Sequence, residues 1–164
     1  MIDHLFFVVT LLSALGSGLI AGIFFAFSTF VMAALARLPA PQGIAAMQSI
    51  NVVVINPWFM AAFVGTAVLC LVLAVASLLT WHRPGTAWLL AGSLLYLVGV
   101  IVITRALNVP LNNALAAVDP ASADGAALWA DYVRTWTAWN HVRTVAPLVA
   151  TVAFILALVK SPAP

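Results

Sequence analysis

The sequence predicts an all-α protein: a four-helix transmembrane bundle with an additional interfacial helix before the fourth span. Three observations carry this. Of 164 residues, 65% are hydrophobic and 6% are charged, with a mean hydropathy of +1.18. A soluble domain averages about 25% charged residues, so a water-facing surface cannot be built from this supply. Four long stretches, 4–36, 38–82, 84–104 and 144–159, hold no Asp, Glu, Lys or Arg. These runs are continuously apolar, without the alternation that a membrane strand shows.

A bilayer core is about 30 Å thick and takes about 20 helical residues to cross. The first two stretches exceed that length, the third just meets it and the fourth falls short. The spans are read as 5–36, 53–80, 86–107 and 142–160, within one integral membrane domain, 1–164. The opening Met-Ile-Asp-His lacks the basic start of a secretory signal, and the apolar run after it is too long for one. Pro39, Pro41 and Gly43 interrupt the chain after the first span, and His82-Arg83-Pro84-Gly85 makes a tight turn.

The connection 108–141 is richer. Trp129, Tyr132, Trp136, Trp139 and Arg143 recur at alternating spacings of three and four, one stripe of a helix. Asp119 is placed to cap that helix, with Pro120 at its first position, and the helix is expected to run on into the fourth span. Trp129 and Tyr132 are read as an interfacial aromatic belt. In the first span, Ala14, Gly18, Gly22 and Ala26 fall four apart, a small-residue face that lets helix backbones approach closely in lipid. That contact lies either within the bundle or between protomers, so a homo-oligomer through the Gly18/Gly22 face stays open.

Disorder is excluded by the hydropathy, and nucleic-acid binding by the lack of a basic patch. Cys70 is the one cysteine, so no disulfide framework exists. Metal sites need several His, Cys or carboxylate ligands, and no such spacing occurs. Nor is there a dinucleotide fingerprint, a P-loop or a nucleophile elbow.

Four alternating spans bring the end of the first, the start of the second, the end of the third and the start of the fourth to one side. Gln48, Asn51, Asn56, Arg105, Asn108, Asn112, Asn140, His141 and Arg143 all fall there. The short fourth span draws Arg143 toward the membrane, where a charge needs a partner or water. The expectation is a shared apolar, aromatic-lined pocket. In it His141 is the base, and Arg143 and Arg105 stabilise an oxyanion. Asn51, Asn56, Asn108, Asn112 and Asn140 orient the ligand, and Trp136 and Trp139 stack on its ring.

Four segments then resemble one family: Gly22-Ile-Phe-Phe-Ala-Phe-Ser28, Met47-Gln-Ser-Ile-Asn51 followed by Asn56-Pro57, Asn108-Val-Pro-Leu-Asn112, and Trp136-Thr-Ala-Trp-Asn-His-Val-Arg143. Together they are similar to the anthrone oxygenase-like family of small four-helix membrane proteins, mostly bacterial. The resemblance implies oxidation of an anthrone methylene to a quinone by dioxygen, with no established cofactor, in a bacterial inner membrane. The reading is therefore a cofactor-independent oxygenase acting on an anthrone- or quinone-like aromatic substrate. The alternative is a non-catalytic membrane protein that binds lipid or quinone, or a small partner subunit of a membrane complex.

Overall fold

A computed structural model describes residues 2–160, with side chains from His4 onward. The described chain is helical and contains no strand. Its first helix, α1, runs from Ile2 to Ala26, continues as a wider π turn over Phe27–Val31 and ends at Leu35. Next come α2 (Ala40–Val53), α3 (Pro57–Leu79), α4 (Thr86–Ala116) and α5 (Ala123–Lys160). Two π segments, Leu97–Val102 and Thr104–Asn108, interrupt α4. All but α2 are long and apolar enough to cross a membrane.

The boundaries follow local chemistry. Pro41 sits in the first turn of α2, where its missing N–H has no partner to lose and its fixed φ favours the helix. The same residue reads as a loop signal in the sequence, which hides α2. Asn56 caps α3, its Oδ1 accepting from Trp58 N–H at 3.1 Å and Phe59 N–H at 3.0 Å. The turn between α3 and α4 closes at Gly85, whose φ of 84° suits a residue without a Cβ. The cap of α5 is Ser122 rather than Asp119: Ser122 Oγ accepts from Gly125 N–H at 2.9 Å. Asp119 instead folds the preceding turn, accepting from Ala121 N–H. Far from ending at a connection, α4 passes through Pro110 and carries on to Ala116.

Two apolar cores stack along the bundle. The larger packs α1, α3, α4 and α5 around Ile20, Phe24, Cys70, Leu73, Tyr96, Val100 and Phe154. The second joins α2 and the ends of the long helices around Met32, Ile44, Met47, Leu115, Trp129, Tyr132 and Trp136. Gln48 ties α2 to this end, donating from Nε2 to the carbonyls of Leu115 at 2.8 Å and Val118 at 3.1 Å, where α4 runs out of helical donors.

Within the chain, helices meet closely at Gly16, Gly92 and Gly99. A Cβ on Gly16 would strike Thr66 of α3, one on Gly99 would strike Ala146 of α5, and one on Gly92 would meet the Phe154 ring. Gly18 only touches Thr151, and Gly22 faces open space. Trp129 and Tyr132 are buried rather than belted at the interface. The exposed tryptophans are Trp58 and Trp139 toward one end and Trp81 and Trp88 at the other. Lys160 lies 5.7 Å over the Trp88 ring. Along α5, Trp139 and Lys160 are about 31 Å apart at helical rise, which matches one bilayer core.

Candidate functional site

Between the two cores lies a cavity of about 590 Å³. Its walls come from all five helices: Phe24 and Phe27 of α1, Met47 and Asn51 of α2, Phe59 and Phe63 of α3, Thr104, Arg105 and Asn112 of α4, and Trp136 and Arg143 of α5. Four of these wall residues, Phe27 of α1 and Ile101, Thr104 and Arg105 of α4, lie in π turns (Phe27–Val31, Leu97–Val102 and Thr104–Asn108). Such widened turns push side chains out of regular register and recur at functional sites.

Among the described residues of the wall, Arg143 is the one buried charged side chain, 4% exposed. Its guanidinium lies 4.4 Å from the Phe24 ring centroid and 4.8 Å from that of Trp136, so two aromatic faces cover its planar surface. Nη2 donates to Asn140 Oδ1 at 2.8 Å, and Nη1 reaches Thr104 Oγ1 at 3.4 Å. Nε is buried with no acceptor. Among the described residues Arg143 has no carboxylate partner; the ion pair seen is the exposed Arg134–Asp131. The result is a desolvated positive charge, partly hydrogen-bonded and without a counter-charge.

Asn140 fixes that charge. Its Nδ2 donates to the Phe24 carbonyl at 2.7 Å and to Ser28 Oγ at 2.8 Å, which leaves Oδ1 for Arg143. Ser28 in turn bonds Thr144 at 3.0 Å. On the other side, Asn112 Oδ1 accepts from Trp136 Nε1 at 2.8 Å and Tyr132 Oη at 2.9 Å. One amide oxygen thereby orients the ring on which Arg143 rests. Asn51 adds a second buried donor without an acceptor, Nδ2.

The predicted residues therefore divide. Asn51, Arg105, Asn112, Trp136 and Arg143 line one cavity, and Asn140 supports Arg143 from behind. Four others do not reach it. His141 is exposed and faces a separate shallow depression with Ser28, Met32, Arg134 and Thr137. Arg143 points inward, and two residues along a helix turn the side chain by about 200°, so His141 faces away. Trp139 is exposed and does not line the cavity. Asn56 spends its amide on the α3 cap and on the carbonyls of Val53 and Val54. Asn108 is buried behind the wall and donates to the Trp136 carbonyl at 3.2 Å. Sequence reasoning misses Thr104, Ser28, Thr144 and Tyr132 as site residues; for Thr104 and Thr144, a hydroxyl one turn from a buried amide (Asn108, Asn140) is the available signal.

No group of three His, Cys, Asp or Glu side chains comes together among the described residues. What the wall offers a ligand is apolar and aromatic surface, one buried cation, one exposed cation and the side chains of Asn51, Thr104 and Asn112. The sequence model of the anthrone oxygenase family matches residues 58–153, more than half of the chain. This chain belongs to the anthrone oxygenase family. The matched stretch carries the cavity residues of α3, α4 and α5, including Arg105, Asn112, Trp136 and Arg143, and also Asn140 behind them. Asn51 and the α1 wall lie outside it. No curated protein and no solved structure matches the chain.

Proposed function

We propose that the cavity is the active site of a membrane-embedded, cofactor-independent oxygenase acting on a flat aromatic ketone of the anthrone type, in a bacterial inner membrane. The supporting observation is the buried guanidinium without a counter-charge in an aromatic wall. A buried charge of this kind is costly unless something compensates it, and an oxyanion on a bound ring system would do so.

The chemistry needs little more. The methylene hydrogen of an anthrone is acidic because the carbanion delocalises onto the ring oxygen. The guanidinium of Arg143 and the amide of Asn51, both side chains of the wall, are the donors for that oxygen, and stabilising it favours loss of the proton. The rings of Phe27, Phe59 and Trp136 flank the flat substrate. The proton passes to water at the rim beside Arg105, since His141 lies outside the cavity. The electron-rich anion reduces dioxygen, and a carbon–oxygen bond forms at the former methylene. Loss of water from the resulting hydroperoxide gives the second carbonyl. In balance, anthrone and dioxygen give quinone and water: one oxygen atom stays on carbon, and the other leaves with both methylene hydrogens.

Purified protein in lipid should consume oxygen and form quinone from anthrone faster than protein-free lipid does. Arg143→Gln should lose that excess by a factor on the order of 10²–10³, the usual cost of removing an oxyanion donor. No excess in the native protein, or equal turnover in the variant, overturns the reading. Co-purified lipid or quinone without oxygen uptake would favour a binding protein instead.

A further inference from the structure

The tryptophan belts give the cavity a depth. Trp58 opens α3 and Trp139 lies one turn before Arg143 on α5, and both are exposed. From Trp58 to Val64, also a cavity residue and 43% exposed, the rise is about 9 Å. On α4, Ile101 lies about 20 Å from Trp88 at the opposite belt, which puts it at a depth similar to that of Val64. The cavity thus extends from the headgroup boundary at Ile55 and Arg105 well into the hydrocarbon layer.

Its outer side is also open at that depth. Tyr96 Oη donates to the Phe63 carbonyl at 2.9 Å and pins α3 to α4 there. Beyond this bond, contact between the two helices thins along Leu97–Val102 and falls away toward Thr104–Asn108, where α4 packs on α5 instead. The gap is bordered by Met60 and Val64 on α3 and by Ile101, Arg105 and Val109, one turn apart, on α4, with the apolar pair Val64 and Ile101 at its deep end. An apolar slot at hydrocarbon depth admits a molecule dissolved in lipid without passage through water.

We infer that the gap between α3 and α4 is a lateral portal, and that the site draws a lipid-dissolved polycyclic aromatic ligand directly from the bilayer. The inference rests on the reading of the cavity as a substrate site. It separates this chain from an enzyme filled from the aqueous face: the ligand must partition into the membrane before it can be bound.

The test uses a probe that cannot leave the membrane, a phospholipid with an anthracene ring on one acyl chain. The full chain is reconstituted in phosphatidylcholine vesicles containing this lipid, and energy transfer from tryptophan to anthracene is followed in native protein and in Trp136→Phe. A component lost in Trp136→Phe, and competed out by free anthrone, reports occupancy of the cavity. Val64→Trp, a rim substitution facing lipid, should slow its onset about tenfold, equivalent to a modest added barrier. Val64→Ala should leave the rate unchanged or raise it. If the tethered ring yields no Trp136-dependent signal while free anthrone turns over, the portal is overturned and the oxygenase reading stands. If the tethered ring binds but anthrone gives no oxygen uptake, the portal stands and the oxygenase reading falls.

Discussion

A guanidinium sandwiched between Phe24 and Trp136, with one strong bond to Asn140, leaves an N–H with nothing to bind. Its planarity is used as much as its charge, so Arg143→Lys should behave nearly as badly as Arg143→Gln in oxygen uptake. The oxygen of Asn112 serves two donors at once. Asn112→Leu should cost about 1–3 kcal/mol in stability, because both partners become buried and unsatisfied. Asn112→Asp keeps the acceptor and should recover most of that loss in a denaturation midpoint. His141→Ala should leave turnover unchanged, and a large drop would return the imidazole to the mechanism. Which residues share the cavity is partly legible in the sequence. Trp129, Trp136 and Arg143 are seven apart and fall on one line of a helix, with Tyr132 and Asn140 at its flanks. His141 shares their stretch of sequence but not their side, and nearness along the chain is a poor guide to nearness in space. The amides of Asn56 and Asn108 are less legible, since an asparagine before a proline or behind a tryptophan looks the same in sequence whether it caps, braces or binds.

At the scale of the helix, the charge-free stretches predict the spans well, because hydrocarbon tolerates charge poorly wherever it falls. Ends are harder. Pro41 and Pro110 read as breaks, yet the first starts α2 and the second is absorbed by α4 just after a π segment. Close helix contact is also hard to place. The Ala14–Gly18–Gly22 spacing is sound as a pattern, but Gly16 and Gly99 meet the neighbours, and which small residues face another helix depends on rotations that spacing alone does not fix. Gly99→Val should therefore destabilise the bundle by about 1–3 kcal/mol through overpacking against Ala146. Gly22→Ala should be neutral in the same thermal melt. Ser122→Ala removes the α5 cap and should cost about 0.5–2 kcal/mol. Asp119→Ala removes only the side-chain bond to Ala121 N–H in the preceding turn, and should lower the melt less.

Across the molecule, the two cores answer different solvents. The larger lies among helices whose outer faces are apolar, as lipid requires, while the second packs aliphatic side chains and methionines of α1, α2 and α4 against the α5 aromatics Trp129, Tyr132 and Trp136. Composition announces the first core and not the second, whose helix α2 has ordinary polarity and breaker residues at its start. The cavity sits on the seam. One continuous helix, α5, runs through both with Pro147 inside it, about 56 Å from Ala123 to Lys160 at helical rise. Lys160 and Trp88 anchor it at the far face, so stretching or thinning the host membrane is met by tilting that helix or bending it at Pro147. Because Arg143 rides on it while Phe24 and Thr104 belong to other helices, acyl-chain length becomes a dial on how well the guanidinium is seated. Reconstitution in a series of phosphatidylcholines should give oxygen uptake that peaks at one chain length and declines on either side.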